Sequence, residues 1–340
     1  RENISKKIIN NLNFKLTGDQ LKVLKEINSD LKSDKRMFRI MQGDVGSGKT
    51  IVSMLSLANV IESNYQCALM GPTEILAYQH FKLALKIFNN NNFKIEFLSG
   101  KTETRKRKEI LRKLKEGKID LLIGTHALFQ KKIEFKKLGY VVIDEQHKFG
   151  VKQRSDFAKK GGINCDVLLM SATPIPRTMM MSHYGDMDVS KITEKPSARK
   201  KITTLSKPEK KINELWNFLT KQIAEKNQIF WVCPLIEESK FLDFSSAKKK
   251  FDLINNKFPN KVGLIHGSLD NEEKEKVLKR FLEEKISILV STTVIEVGID
   301  FPNANVIIIE NANKFGLAQL HQLRGRVGRG NRQATCILLF

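Results

Sequence analysis

The chain has 340 residues, and its hydrophobic fraction of 41% is enough for ordinary globular cores. At roughly 100–200 residues per domain, this length predicts two domains. It contains 59 Lys and Arg against 37 Asp and Glu, and the formal net charge of +22 favours a polyanionic partner such as nucleic acid, although abundant Lys, Asn and Ile also suit an AT-rich genome. Neither a secretory signal nor an apolar run near ~18 residues is present, which argues against a membrane span and predicts a cytoplasmic protein, with an organellar origin left open.

Apolar strand patterns alternate with helical patterns along the chain, which is the β-α-β order typical of parallel sheets. The strands predicted in the first half are 36–42, 67–71, 94–100, 120–125, 140–145 and 166–173. Those predicted in the second half are 228–234, 261–267, 286–292, 305–311 and 334–340. Helical patterns such as 50–62 and 271–284 lie between them. The predicted fold class is α/β, with two lobes that each hold a mostly parallel sheet flanked by helices.

The stretch 188–211 separates the two halves. It is polar and basic, contains Pro196 and Pro208, and lacks a sustained apolar period, which is typical of a connection. We therefore predict lobe 1 at 1–194, a linker at 195–206 and lobe 2 at 207–340. The four cysteines are scattered without a C-x-x-C pair, so neither a zinc site nor a disulfide framework is predicted.

The stretch "GDVGSGKT" (43–50) matches the P-loop pattern G-x-x-x-x-G-K-[ST] between a predicted strand and a predicted helix. Its glycines, Gly43, Gly46 and Gly48, allow backbone N–H groups to curl round phosphates at a helix N-terminus. Lys49 is expected to reach the β- and γ-phosphates, and Thr50 to ligate Mg²⁺. This context makes an accidental glycine-rich turn a poor explanation.

The stretch "VVIDEQH" (141–147) is an apolar strand that ends in two carboxylates. Asp144 is expected to hold Mg²⁺, directly or through water, and Glu145 to orient and deprotonate the attacking water. A strand that ends in Asp-Glu is common in proteins without this chemistry, but a P-loop in the same lobe favours the functional interpretation.

Two further motifs leave alternatives open. Ser171 and Thr173 in "SAT" either cap a helix or form a hinge beside the nucleotide site. In "QLRGRVGRG" (322–330), Arg326 and Arg329 stand three residues apart, and one helical turn would put both on one face, where they could clamp phosphate oxygens. A solvated or phosphate-backbone-binding basic face is the alternative for the two arginines.

The last of these motifs resembles motif VI of superfamily 2 helicases, and the order of all four motifs is similar to that superfamily. Longer stretches resemble the bacterial RecG-type branched-DNA helicases: "GPTEILAYQH" (71–80), "IGTHALFQ" (123–130), "DEQHKFGVKQR" (144–154), "SATPIPRTM" (171–179), "CPLIEESK" (233–240) and 291–330. The resemblance runs from "FKLTGDQ" (14–20) to the end of the chain. It implies two RecA-like lobes with ATP and Mg²⁺ between them, and a monomeric motor of the bacterial nucleoid that acts on forks and Holliday junctions in DNA recombination and repair.

The resemblance also implies roles for individual residues. Phe14 and Gln20 would meet the adenine. Gly298 and Asp300 belong to motif V at the cleft, with Asp300 near the ribose. Gln322, Arg326 and Arg329 would complete the catalytic site from lobe 2, with Arg329 nearest the γ-phosphate. His147, Ser171 and Thr173 would couple the nucleotide site to movement of the lobes. Nucleic acid would be gripped by Thr73, Thr125 and His126, with weaker candidates in His266, Gly267 and Thr292; for the two histidines a structural role in a loop stays open.

Three rival functions are weaker. A transcription-repair coupling translocase usually carries D-E-E-H, which Gln146 disfavours. A module that holds a nucleotide without turnover predicts a damaged Glu145 or Arg329, and both residues are present. An RNA helicase predicts different flanking residues around the second motif. Relative to the RecG-type family, we expect a strand-separating wedge before residue 14 and a translocation hairpin beyond Phe340 to fall outside this sequence.

Overall fold

The computed structural model describes residues 3–44, 46–130, 133–144, 165–172, 187–194, 201–234, 240–267, 269–292, 299, 301–328, 330 and 332–340. The chain divides into two compact units, Arg1–Pro196 and Ser197–Phe340. Each unit is built round its own parallel sheet.

The described part of the first unit contains five α-helices and seven strands. The helices are α1 (Asn3–Asn10), α2 (Gly18–Asp30), α3 (Lys49–Ile61), α4 (Glu74–Ile87) and α5 (Thr104–Lys115). The strands are β1 (Phe38–Gly43), β2 (Gln66–Met70), β3 (Ile95–Leu98), β4 (Leu121–Gly124), β5 (Leu138–Ile143), β6 (Asp166–Ser171) and β7 (Asp188–Ile192). A short 3-10 helix, His126–Phe129, follows β4.

The first sheet has the strand order β3-β4-β2-β5-β6-β1-β7, and every ladder in it is parallel. Strand β6 lies between β5 and β1, so the carboxyl ends of these three strands meet at one edge. That edge receives the P-loop after β1, Asp144 after β5 and Ser171 at the end of β6. The three predicted nucleotide motifs of this lobe are therefore neighbours in the fold.

The central strands of this sheet are buried on both faces. In β5, Tyr140 and Val142 join one core layer with helices α1 to α4, whereas Val141 and Ile143 join a second layer with α5. Successive residues of a strand point to opposite faces, so both sets must be apolar. Each fully buried aliphatic side chain contributes about 1.5–3 kcal/mol, which explains why these strands are continuous apolar runs in the sequence.

The described part of the second unit contains four α-helices and six strands. The helices are α6 (Ile212–Ala224), α7 (Lys240–Lys257), α8 (Asn271–Leu282) and α9 (Leu317–Arg324). The strands are β8 (Thr203–Lys207), β9 (Gln228–Val232), β10 (Val262–Ile265), β11 (Ile288–Ser291), β12 (Ala304–Ile309) and β13 (Thr335–Leu339). This described part also has two 3-10 helices, Glu209–Lys211 and Ala312–Lys314, and its parallel sheet has the order β10-β11-β9-β12-β13-β8.

All eleven predicted strands are present, but the stretch 188–211 is not simply a connection. Strand β7 pairs with β1 at one edge of the first sheet, and β8 pairs with β13 at an edge of the second. The prediction of a linker at 195–206 is therefore wrong for Thr203 to Ser206. An edge strand needs to bury little, and β8 is almost wholly exposed, so it lacks the apolar signal of an inner strand.

The four cysteines are buried free thiols. Burial raises the pKa of Cys165 to about 12 and that of Cys336 to about 11, which keeps both thiols protonated and unreactive. Among the described helices, none is both long and apolar enough to cross a membrane.

Candidate nucleotide-binding site

The P-loop connects β1, which ends at Gly43, to α3, which begins at Lys49. Gly46 has φ 83° and Gly48 has φ 88°, in the left-handed region that side-chain-bearing residues rarely adopt. A Cβ atom at Gly43 would lie 2.6 Å from Oγ of Ser47 and 2.9 Å from the carbonyl oxygen of Ile192. The glycines therefore form a tight backbone cradle at the N-terminus of α3, which suits a phosphate group.

Lys49 stands over this cradle. Its side chain is largely buried, and Nζ donates to the carbonyl oxygens of Gly43, at 2.5 Å, and Asp44, at 3.1 Å. These contacts hold the ammonium group above the loop. Thr50 follows in the first turn of α3, half-buried, where its hydroxyl oxygen is available as a ligand for a hard cation.

Gln20 supports the loop from the side of α2. Its Oε1 accepts from the N–H of Thr17 at 3.0 Å, and the hydroxyl of Thr17 accepts from the N–H of Gln20 at 3.3 Å, which closes a capping box. The Nε2 of Gln20 donates to the carbonyl of Ser47 at 2.7 Å. Gln20 thus links the start of α2 to the P-loop, while Phe14, before α2, is 50% exposed.

Asp144 lies directly beyond β5, at the same sheet edge, and its side chain is buried. Its N–H donates to the carbonyl of Met70 at 2.8 Å, which continues the β5–β2 ladder by one residue. Its Oδ2 lies 2.7 Å from Nε2 of His80 on α4. This hydrogen bond fixes the carboxylate at the carboxyl end of the sheet.

His80 lies at this site, although no sequence motif above assigned it a role. It is 4% exposed and shares the buried face of α4 with Leu76, Ala77 and Ala84. That placement was detectable, because the four residues follow helical spacing and a histidine interrupts an otherwise apolar stripe. What lies opposite the histidine could not be deduced from the spacing.

The oxygen donors of this edge fit Mg²⁺. A Mg²⁺ ion at a nucleotide site is usually held by one or two protein oxygen ligands together with phosphates and waters. Asp144 supplies a buried carboxylate and Thr50 a hydroxyl. No cluster of three or more potential metal-ligating side chains occurs among the described residues, so these two fit a metal shared with phosphates better than an all-protein cage.

Other predicted residues of the first unit are only partly described. Ser171 is fully buried at the end of β6, opposite Gln42 of β1. Glu145, His147 and Thr173 lie outside the described residues, so their predicted roles stay predictions.

The predicted nucleic-acid residues of the first unit lie at two carboxyl strand ends. Thr73 caps α4, since its hydroxyl accepts from the N–H of Leu76 at 3.3 Å. Thr125 follows β4 and is buried at the start of the short 3-10 helix. The side chain of His126 lies outside the described part. Strands β2 and β4 are adjacent, so Thr73 and Thr125 lie on neighbouring loops of one surface.

In the second unit, the weaker candidates gather at the ends of β10 and β11. Thr292 donates its N–H to the carbonyl of Ile265 at 3.3 Å, directly before His266 and the exposed Gly267. The pKa of His266 is lowered, mainly by burial and then by the positive charge of Lys274. Within the described residues, the buried hydroxyl of Thr292 has no hydrogen-bond partner.

The predicted helical turn for Arg326 and Arg329 is not found over the described residues 325–328, which lie beyond a helix. Helix α9 ends at Arg324, Gly325 caps it, and Gly328 has φ 71°. A Cβ at Gly328 would approach that of Ala334 to 2.9 Å, so this position leaves no room for a side chain. Arg326 lies beyond the helix and is buried, and Gln322 is exposed on α9. Arg329, Gly298 and Asp300 fall outside the described residues.

Known proteins are similar to this chain in sequence and architecture. A sequence model of the DEAD/DEAH box helicase family matches residues 17–182, and one of the helicase conserved C-terminal domain matches 210–331. The chain is 48% identical over 338 residues to the ATP-dependent DNA helicase RecG of Thermotoga maritima, covering 99% of this chain and 43% of that relative. It is 47% identical over 335 residues to RecG of Bacillus subtilis, covering 98% of this chain and 49% of that relative.

A solved structure of RecG bound to a three-way DNA junction matches with a TM-score of 0.86 and 44% identity, covering 100% of this chain and 44% of that chain. The two parallel sheets with flanking helices accordingly have the RecA-like fold of helicase lobes. The chain spans less than half the length of the relatives named here.

Proposed function

Since the chain belongs to the RecG group of superfamily 2 helicases, we propose that it hydrolyses ATP with Mg²⁺ and uses the free energy to move along duplex DNA at branch points. It would act as a monomer on forks and Holliday junctions of the bacterial chromosome, in DNA recombination and repair. The identity to two RecG helicases over nearly the whole chain supports this class of motor.

The observation that carries the ATP proposal is the placement of Lys49 and Asp144 at the same edge of the first sheet. The P-loop follows β1 and Asp144 follows β5, and only β6 separates the two strands. A phosphate cradle beside a buried carboxylate is the arrangement that a nucleoside triphosphate with a divalent cation requires.

The proposed chemistry assigns a task to each described group. The N–H groups of the loop would hold phosphate oxygens, and Lys49 would exchange its carbonyl contacts for the β- and γ-phosphates. Thr50 and Asp144 would hold Mg²⁺, which when bound supplies positive charge to neutralise the phosphate oxygens. Gln20 would keep the loop in place beside the base, with Phe14 against its face.

The remaining predicted residues, several of which lie outside the described part, complete the proposal. Glu145 would take the proton of the attacking water, and Arg329 would stabilise charge on the transferring phosphoryl group. Gln322 and Arg326 would assist from the second unit, as would Gly298 and Asp300 of motif V, with Asp300 near the ribose. His147, Ser171 and Thr173 would transmit the change to the nucleic acid.

The DNA proposal is supported by charge and by strand-end placement. The chain carries a formal net charge of +22, and the N-terminus of α4 behind Thr73 presents positive backbone N–H groups. Thr125 and His126 on the adjacent loop, with His266, Gly267 and Thr292 of the second unit, would contact backbone phosphates. Affinity should then fall steeply with salt and depend little on sequence.

The proposal is tested by ATP hydrolysis with variants of two site residues and a matched control. Lys49→Ala should remove turnover because the phosphate charge loses its partner, and Glu145→Gln should retain nucleotide binding but turn over at least ~10²-fold more slowly. Lys25→Ala, an exposed lysine on α2, should match the wild type. Wild-type turnover in Lys49→Ala or Glu145→Gln would refute the assigned site.

A further inference from the structure

The buried pair formed by His80 and Asp144 joins two elements that are distant in sequence. The Nε2···Oδ2 distance is 2.7 Å, and the side chains are 5% and 8% exposed. We propose that His80 is a positioning residue that holds the Asp144 carboxylate in the orientation required to bind Mg²⁺ together with the nucleotide. This inference rests on the proposed function, because it concerns the same metal–nucleotide site.

The chemistry of the two side chains decides which atom is the hydrogen-bond donor. An ionised carboxylate only accepts hydrogen bonds, so the protonated Nε2 of His80 donates the hydrogen bond to Oδ2 of Asp144. The bond fixes one oxygen of Asp144 and, with it, the plane of the carboxylate. Metal-ligating groups are commonly held in this way by an outer partner, and removal of such a partner typically lowers metal affinity 10- to 100-fold.

The surroundings of His80 make the orientation rigid. Its helix α4 is anchored at its start by the Thr73 cap and packs with Ala84 in the same core layer as β5 residue Val142. The backbone of Asp144 is fixed independently by its bond to Met70. Backbone and carboxylate are thus restrained from two sides, which leaves little freedom to the ligand oxygen.

A simple structural role for this pair predicts a different outcome. If His80 only filled space and satisfied a buried polar group, its loss would lower stability without a specific effect on metal affinity. The two roles are separated by measuring the Mg²⁺ dependence of nucleotide binding, together with the thermal unfolding of the same variants.

The experiment titrates Mg²⁺ into mixtures of the chain and a fluorescent, non-hydrolysable ATP analogue, with an EDTA arm as the metal-free reference. His80→Leu removes the donor because leucine has no polar atom. His80→Asn also leaves no donor at the Nε2 position, because its amide is about one bond too short. His80→Gln retains a donor near that position. We expect the first two to need roughly 10- to 100-fold more Mg²⁺ and His80→Gln to recover most of the wild-type affinity, with EDTA-arm binding unchanged.

Tyr140→Phe is the matched control. It removes a buried hydrogen bond on the same strand, between the hydroxyls of Tyr140 and Ser56 at 3.0 Å. It should lower the unfolding temperature but leave the Mg²⁺ requirement unchanged. An equal shift in Tyr140→Phe, or an unchanged Mg²⁺ requirement in His80→Asn, would overturn the positioning role.

The wild-type arm separates this inference from the function on which it rests. Tight, Mg²⁺-dependent binding by the wild type with unchanged His80 variants refutes the positioning role alone. Absence of Mg²⁺-dependent binding in the wild type refutes the proposed nucleotide site itself. If His80→Leu does not fold, the comparison of His80→Asn with His80→Gln still decides, because both retain a polar amide.

Discussion

The side-chain amide of Gln20 occupies the space into which a Cβ at Gly48 would project. Gly48 also has φ 88°, so this glycine is required both by backbone conformation and by the close approach of Nε2. The bond from Nε2 to the Ser47 carbonyl depends on that approach. The last glycine of the P-loop therefore joins the loop to α2 as well as closing the phosphate cradle.

Gly48→Ala should destabilise the first unit and weaken nucleotide binding. The left-handed conformation alone costs a residue with a Cβ about 1–2 kcal/mol, and displacement of Gln20 adds to it. Urea unfolding of the variant measures the loss. Gly100→Ala is the control, because a Cβ at Gly100 meets nothing within 4 Å. Equal stability of the two variants would contradict the role assigned to Gln20.

A second prediction concerns Lys250 and Glu310, whose Nζ and Oε1 lie 2.5 Å apart with side chains 20% and 6% exposed. Lys250→Met should destabilise the second unit by roughly 3 kcal/mol, because it leaves a buried carboxylate without its counter-charge. The double variant Lys250→Met/Glu310→Gln should recover much of this loss.

The control for that pair is Lys276→Met, which breaks an exposed i,i+4 pair with Glu272. Its free energy of unfolding should change by less than about 0.5 kcal/mol. If the buried and the exposed lysine variants lost equal stability, or if the double variant were less stable than Lys250→Met, the buried pair would not act as proposed.

The third prediction is a pH dependence at Asp19, which ties the start of α2 to the end of β7. Its Oδ2 accepts from the hydroxyl and N–H of Thr193 and from the N–H of Glu194, and these hydrogen bonds, that of the Thr193 hydroxyl first, lower the pKa of Asp19. A lowered folded-state pKa gives stability that is present above the unfolded value of about 3.9 and is lost as pH falls through the folded value.

The unfolding temperature of Asp19→Ala should therefore lie below that of the wild type at pH 6 to 7, and the difference should shrink below about pH 4. Thermal unfolding of both proteins across this range is the measurement, with Asp34→Ala, an exposed residue after α2, as the control. A difference that grows as the pH falls would show the opposite linkage.

The inner strands were predictable because burial on both faces demands continuous apolar runs. The edge strands β7 and β8 were not, since one paired side and an exposed surface leave polar residues in place. Likewise, the spacing of Arg326 and Arg329 suggests a helical turn, but α9 ends at Arg324 and Gly328 has a left-handed φ of 71°. The backbone conformation at Gly328 does not continue a helix.

At the site, motif spacing located Lys49 and Asp144 because both chemistry and strand context are local in sequence. The His80–Asp144 contact joins residues 64 positions apart, and only the packing of α4 on the sheet determines it. Likewise, the contact between Gln20 and Ser47 spans 27 positions. Tertiary contacts of this kind leave no spacing signal in a single sequence.

The most direct test of a DNA-driven ATPase is the rate of ATP hydrolysis with a three-way DNA junction, compared with single-stranded RNA at equal nucleotide and salt concentrations. Equal salt is essential because phosphate contacts dominate affinity. A RecG-type motor predicts clear stimulation by the junction, little by RNA, and none in Lys49→Ala. Equal or greater stimulation by RNA, or a rate of ATP hydrolysis that no nucleic acid changes, would contradict a RecG-type motor.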